Sequence, residues 1–271
     1  MRYGIDVHHF GEFADARTLA GLARDAEEAG WDGFFIWDHL VMPWLDPVVD
    51  PWVALTAIAM STERIKFGPM VTPLPRRRSW KVARETASLD QLSGGRLIFG
   101  VGLGVDYDYE QFGETTDAKV RGAMLDEGLQ VLTGLWSGRP FSFDGQYYKV
   151  RETTFLPPPA QSPRIPIWVA GYWPNKPPMR RAASWDGVFP ILRDDESVSP
   201  EQLRDLLSYI KGYRESDGPF DVVCSGVTRG DDPTEDASII TPLAEAGATW
   251  WVENTIPERF VSGKSAVEQM R

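Results

Sequence analysis

Short apolar runs alternate with helix-period segments along almost the whole chain, and this alternation restricts the fold more than any other feature. The runs fall at 3–7, 33–37, 65–70, 97–101, 167–170, 187–190, 221–224 and 249–252. Helical patterns follow them at 15–29, 50–62, 79–92, 119–136, 178–184, 199–215, 234–246 and 261–270. In the first helix Leu19, Leu22, Ala23 and Ala26 recur at the spacing of one face. Gly30 stands where a C-terminal cap is needed, and Pro51 occupies a first turn, where its missing N–H removes no bond. Strand–helix repetition implies parallel strands joined by right-handed crossovers. Eight repeats predict an α/β fold, a closed (β/α)8 TIM barrel forming a single domain over residues 1–271. A doubly wound open sheet is the competing arrangement. Against it, the turn at 7–13 lacks the glycine-rich fingerprint of a dinucleotide-binding sheet.

One segment breaks the pattern. Asp144-Gly145 lies between aromatic, β-prone residues at 141–148, which predicts a small hairpin excursion between strands four and five. Pro157-Pro158-Pro159 reads as a stiff connection rather than a domain linker.

Acidic residues number 39 and basic ones 28, a net charge of −11. That balance argues against nucleic acid or an anionic membrane as partner, since both require basic patches. The run Arg76-Arg77-Arg78 reads either as a solvated helix start or as an anion contact. Cys224 is the only cysteine, so no disulfide closes within the chain, consistent with a reducing cytoplasm. The first residues lack the apolar run of a signal peptide, and no stretch approaches the ~20 apolar residues of a membrane helix. Several of the 11 tryptophans lie near predicted strand ends, where they could wall a pocket for a flat ligand.

In a barrel, chemistry collects where strands end. Following the predicted strands in order come His8 and His9; Asp38 and His39; Val71 and Thr72; Gly102, Gly104 and Asp106; Gly171, Asn175 and Lys176; Arg193; Ser225 and Gly226; Glu253 and Asn254. All three histidines of the chain therefore face one mouth; a structural hydrogen-bonding role is the alternative for each. His8 and His9 are adjacent and would point to opposite sides of an extended segment, which disfavours a metal site and a metal-dependent hydrolase. Gly100, Gly102 and Gly104 would let a planar ligand approach the backbone; alone, they read as a tight turn. Lys176 and Arg180, near a helix start, would suit a phosphate or form a solvated basic surface.

Several stretches together resemble the luciferase-like monooxygenase family: Trp37-Asp38-His39-Leu40, Asp50-Pro51-Trp52, 62–68, 83–96 ending in Ser93-Gly94-Gly95-Arg96, Gly100 to Gly104, Leu135-Trp136-Ser137-Gly138, 144–148 and 166–171. The match runs in order over about residues 1–190. The resemblance implies a barrel oxidoreductase holding FMN or coenzyme F420 at its mouth, the cofactor carrying the electrons. It implies that His39 is a general acid or base, that Asp38 orients it and that Trp44 walls the pocket. It also implies a strand-three bulge with a non-proline cis peptide at Met70–Val71 behind the ring. Around the cofactor it places Thr72, Gly102, Leu103, Gly104, Asp106, Ala170 and Gly171. Val105 stands where some deazaflavin enzymes carry an acid, with Asp106 one step away. The usual phosphate loop is replaced by 172–178, leaving the phosphate to Asn175, Lys176 and Arg180. A homodimer through helices two and three is implied as well. Walls of Trp37, Trp44, Phe10 and Tyr172 suit an apolar organic small molecule as substrate. A non-catalytic flavin-binding barrel is the alternative function.

Overall fold

The computed structural model describes residues 1–43, 46–192, 197–255 and 265–270. Its strands are β1 (Arg2–Val7), β2 (Gly33–Ile36), β3 (Lys66–Pro69), β4 (Thr72–Pro73), β5 (Phe99–Gly102), β6 (Phe141–Asp144), β7 (Lys149–Thr153), β8 (Ile167–Tyr172), β9 (Gly187–Ile191), β10 (Asp221–Gly226) and β11 (Trp250–Thr255). All but β6 and β7 form one parallel sheet in the order β3-β2-β1-β11-β10-β9-β8-β5-β4. β3 and β4 are halves of a single barrel strand: β3 pairs with β2, β4 pairs with β5, and the Phe67–Leu97 bridge joins the same two sides. The sheet thus closes into the expected eight-stranded barrel.

Helices α1 (Ala16–Glu28), α2 (Pro51–Ser61), α3 (Ser79–Leu92), α4 (Tyr107–Glu110), α5 (Ala118–Trp136), α6 (Lys176–Ala183), α7 (Pro200–Lys211), α8 (Pro233–Ala246) and α9 (Ala266–Met270) fill the crossovers. Their starts are written in the sequence. Asp15 accepts from the Thr18 amide, and Asp50 from the amides of Trp52 and Val53 behind Pro51. Ser199 and Gln202 form a reciprocal capping box. Gly30, at φ +92°, ends α1 in the left-handed region that favours glycine. The hairpin β6–β7 leaves the barrel between β5 and β8, its turn tied to α5 by Glu127, which accepts from the amides of Gln146, Tyr147 and Tyr148.

Apolar residues divide between two clusters. Val7, Phe34, Ile36 and Val101 pack outward against the helices. Phe35, Met70, Ile98, Trp168, Phe189, Val223, Trp250 and Val252 fill the barrel interior. Two polar hubs stitch the end of the barrel away from the mouth. The Glu27 carboxylate accepts from the amides of Glu63, Arg64 and Ile65. Arg96 donates to the carbonyls of Ala59, Thr62, Ile65 and Ser93. These bonds explain physically why the 62–65 and 93–96 stretches recur as motifs: each satisfies buried backbone at a strand entry. Among the described residues no helix is long and apolar enough to cross a membrane.

Candidate active site at the barrel mouth

His39 follows β2, half-buried, and its ring is fixed from behind. Nδ1 lies 2.9 Å from Asp108 Oδ2 and 3.1 Å from the Tyr107 hydroxyl. Asp108 is fully buried and also receives Arg76 Nη1 at 2.6 Å and the Leu40 amide at 3.2 Å. Burial pushes the Asp108 carboxyl up, but the His39 hydrogen bond, the Arg76 guanidinium and the Leu40 amide outweigh it and hold it below the usual carboxylate range. An ionised Asp108 assigns the Nδ1 proton to the bond between them, so Nε2 is left to take or give a proton at the mouth. Burial raises the Tyr107 phenol to about 12, so it stays a neutral hydroxyl.

The carboxylate expected to orient His39 has another task. Asp38 is buried and saturated: Oδ1 receives Arg76 at 2.6 Å and Arg77 at 2.7 Å, and Oδ2 receives the Thr72 hydroxyl at 2.8 Å. It clamps the end of β2 to the start of β4, and no bond joins it to the His39 ring. The orienting partner is Asp108, on the short helix α4 that the sequence reading passed over. A Tyr-Asp-Tyr turn directly after a glycine-rich strand was the available signal. Arg76 and Arg77 are neither solvated nor waiting for a ligand; they neutralise Asp38 and Asp108 within the protein. Asp106, two residues from Asp108, turns outward to Arg121 at 2.6 Å.

The other two histidines serve the scaffold. Nε2 of His9 accepts from the His39 amide at 3.2 Å and lies 3.1 Å from its carbonyl. Burial lowers His9 to about 4, so it is neutral near pH 7. His8 bonds through Nδ1 to the Thr255 carbonyl, its ring packed on Phe10 and Phe13. Among the described residues no three His, Cys, Asp or Glu side chains gather as a metal site.

The Met70–Val71 peptide is cis, as the resemblance implied. Met70 joins the interior cluster, and Val71 stays half-buried above it. This bulge takes the space that the glycines were expected to leave for a ligand. A Cβ on Gly100 would strike the Pro69 carbonyl, and one on Gly102 would lie 2.8 Å from Val71 Cγ2. At Gly104 it would lie 2.7 Å from Pro73, and the Leu103 carbonyl accepts from Tyr109 at 2.8 Å. The glycine run therefore receives protein, because strand three bulges against it. Ala170 is buried beside Gly102, while Gly171 is closed over by Pro178.

The expected phosphate residues do not converge. Pro177 and Pro178 remove two amides from the first turn of α6. The Lys176 ammonium lies over the rings of Trp173 (4.1 Å) and Tyr209 (4.2 Å). Asn175 and Arg180 are exposed. Glu253 binds Thr228 and the Trp251 indole. Trp44 and Arg193 lie outside the described residues.

Val71 and Ile191 pack on the interior cluster as a half-buried apolar floor. Phe10, Trp37, His39 and Tyr107 form an aromatic wall beside it, with ring centroids 5.7 Å apart for Phe10–Trp37 and His39–Tyr107, and 5.8 Å for Trp37–His39. An apolar floor with one proton-transfer group at its edge fits the ring portion of a flavin or deazaflavin.

Comparison with known proteins agrees with this geometry. The family profile described as luciferase-like monooxygenase matches residues 4–250. An uncharacterized protein of Mycobacterium bovis is 32% identical over 223 residues, 74% of each chain. An F420-dependent glucose-6-phosphate dehydrogenase of Beutenbergia cavernae is 36% identical over 166 residues, 59% of this chain and 48% of that one. The oxygenase component of a flavin-dependent trigonelline monooxygenase of Acinetobacter baylyi is 28% identical over 184 residues, 65% of this chain and 50% of that one. The chain thus spans about half the length of the latter two. Among solved structures, the coenzyme F420 dependent tetrahydromethanopterin reductase of Methanopyrus kandleri superposes with a TM-score of 0.80 at 19% identity, covering 99% of this chain and 96% of that one.

Proposed function

The chain belongs to the luciferase-like monooxygenase family, and from that premise we propose a flavin- or deazaflavin-dependent oxidoreductase acting on an apolar organic small molecule, with His39 as its proton-transfer group. The observation that carries this reading is the His39–Asp108 pair at the edge of the Val71–Ile191 floor. FMN or coenzyme F420, when bound, supplies the transfer of electrons or hydride. The remaining work falls to the chain. Asp108 fixes the tautomer and plane of His39, so Nε2 is the atom at which a proton is held or moved. Arg76 keeps Asp108 ionised. Val71, Ile191 and Trp37 exclude water and orient the flat ligand. The relatives in the preceding section that use F420 or flavin support the cofactor assignment.

Mass spectrometry of what the protein retains after incubation with FMN and F420 in competition tests this. Retained F420 points to hydride transfer, and retained FMN to reaction with oxygen; retention of neither overturns the cofactor assignment. In a non-catalytic flavin-binding barrel, His39→Ala would leave all behaviour of the loaded protein unchanged.

A homodimer through α2 and α3 belongs to the same proposal. It is supported by Val53 and Met60 on α2, 59% and 66% exposed, and by Leu92 on α3, 50% exposed. Light scattering of Met60→Glu against the parent checks it. A cytoplasmic setting is supported by the lone, buried thiol of Cys224, which burial raises to about 12.

A further inference from the structure

Asp6 is a buried carboxyl group that the scheme above leaves without a task. It is level with Phe35 of β2 and Asn254 of β11 in the parallel register, and Phe35 belongs to the interior cluster, so Asp6 faces into the barrel. It is 7% exposed. Oδ2 accepts the Trp37 indole N–H at 2.8 Å, while Oδ1 is buried with no hydrogen-bond partner. Trp37 is the ring that stands between Phe10 and His39 in the wall. A carboxyl half-satisfied in an apolar interior is costly unless its arrangement serves something.

We propose that Asp6 is the positioning residue of this wall: its carboxyl fixes the Trp37 indole beside His39, and its ionisation sets how firmly an aromatic ring is held there. Burial raises the group to about 7, against the lowering effect of the Trp37 bond, so the switch falls in the physiological range. A carboxylate accepts an N–H more strongly than a neutral acid does, so the wall stiffens as pH rises. The other titratable groups of the packed elements are accounted for. On β1, His8 is bonded to Thr255; beyond β2, His39 is bonded to Asp108; on β11, Glu253 is bonded to Thr228 and Trp251. The interior cluster itself carries no charge.

The inference about ring binding rests on the proposed function; the Asp6–Trp37 bond does not, and the test separates them. Trp37 fluorescence in the ligand-free protein, taken as the difference between the parent and Trp37→Phe, is followed from pH 5.5 to 8.5. The expected result is a single titration near neutrality that disappears in Asp6→Asn. A flat signal overturns the proposal, as does a titration surviving in Asp6→Asn. Should Asp6→Asn not fold, His39→Gln and His8→Gln decide: loss of the titration in either assigns it to that histidine and overturns the proposal. Riboflavin, which carries no phosphate to titrate, is the ring probe. Its affinity should rise at least threefold over this range in the parent and stay flat in Asp6→Asn. Binding without pH dependence in the parent overturns the ring-holding role. No riboflavin binding beside an intact Trp37 titration counts against the cofactor assignment and supports Asp6 as the holder of Trp37.

Discussion

The chemistry of His39 is decided by the atoms behind its ring. With Nδ1 committed to Asp108, the tautomer is fixed and Nε2 is the working nitrogen. Asp108→Asn keeps the shape and Arg76 nearby but no longer demands the Nδ1 proton. Turnover of the cofactor-loaded enzyme should fall by about 10²-fold or more, with ligand affinity little changed. Equal loss in affinity and turnover would show that Asp108 only builds the mouth. Two buried groups set limits on stability with pH, in opposite directions. Asp6 has a folded-state value of about 7 against 3.8 ordinarily. Its contribution is fully present below pH 3.8 and is lost as pH climbs to about 7. Asp6→Asn should therefore gain on the parent across that window, by up to about 4 kcal/mol in urea denaturation at pH 8 relative to pH 4. His9 falls to about 4 from 6.5, so its neutral form stabilises above pH 6.5 and that stability is lost as pH drops to 4. His9→Gln should flatten the acid limb of the same stability profile. At this scale the sequence showed which polar residues stand at strand ends. It did not show their partners, because whether Asp38 or Asp108 reaches His39 depends on the path of the α4 loop through space.

Among the elements, the third barrel strand and β5 make one unit. Strand three is split between β3 and β4 by the Met70–Val71 bulge, and the bulge presses on Gly100 and Gly102. Gly102→Ala places a methyl 2.8 Å from Val71 Cγ2. Overpacking of this kind costs roughly 1–3 kcal/mol, and a Val71→Ala partner substitution should recover part of it in a thermal melt. Non-additivity of the pair is the readout; strictly additive losses would mean the glycine is needed for another reason. Glu27 offers a second case, since its carboxylate serves three successive amides entering β3. Glu27→Ala should destabilise by about 2–4 kcal/mol, because buried amides lose their only acceptor. The helix starts were legible because caps are local: Asp15, Asp50 and Ser199 act within three residues of themselves. Helix α4 was not, since four residues carry too short a pattern to show a period.

Across the whole molecule the sheet closes on itself, and one interior cluster spans strands from both ends of the chain, Phe35 with Trp250 and Val252. A single cooperative unfolding transition follows for residues 1–271; two separated calorimetric peaks would divide the proposed domain. The sequence by itself determined the barrel, the hairpin excursion and the mouth on which His39 stands, because strand–helix alternation, caps and turn residues act over a few neighbouring positions. Only the tertiary structure decided that Asp108 rather than Asp38 holds His39, that Arg76 and Arg77 answer buried carboxylates, that the glycine run receives Val71 and that Asp6 reaches Trp37. These are encounters between segments about 30 to 70 residues apart, and their distances are set by barrel register and loop path rather than by spacing along the chain.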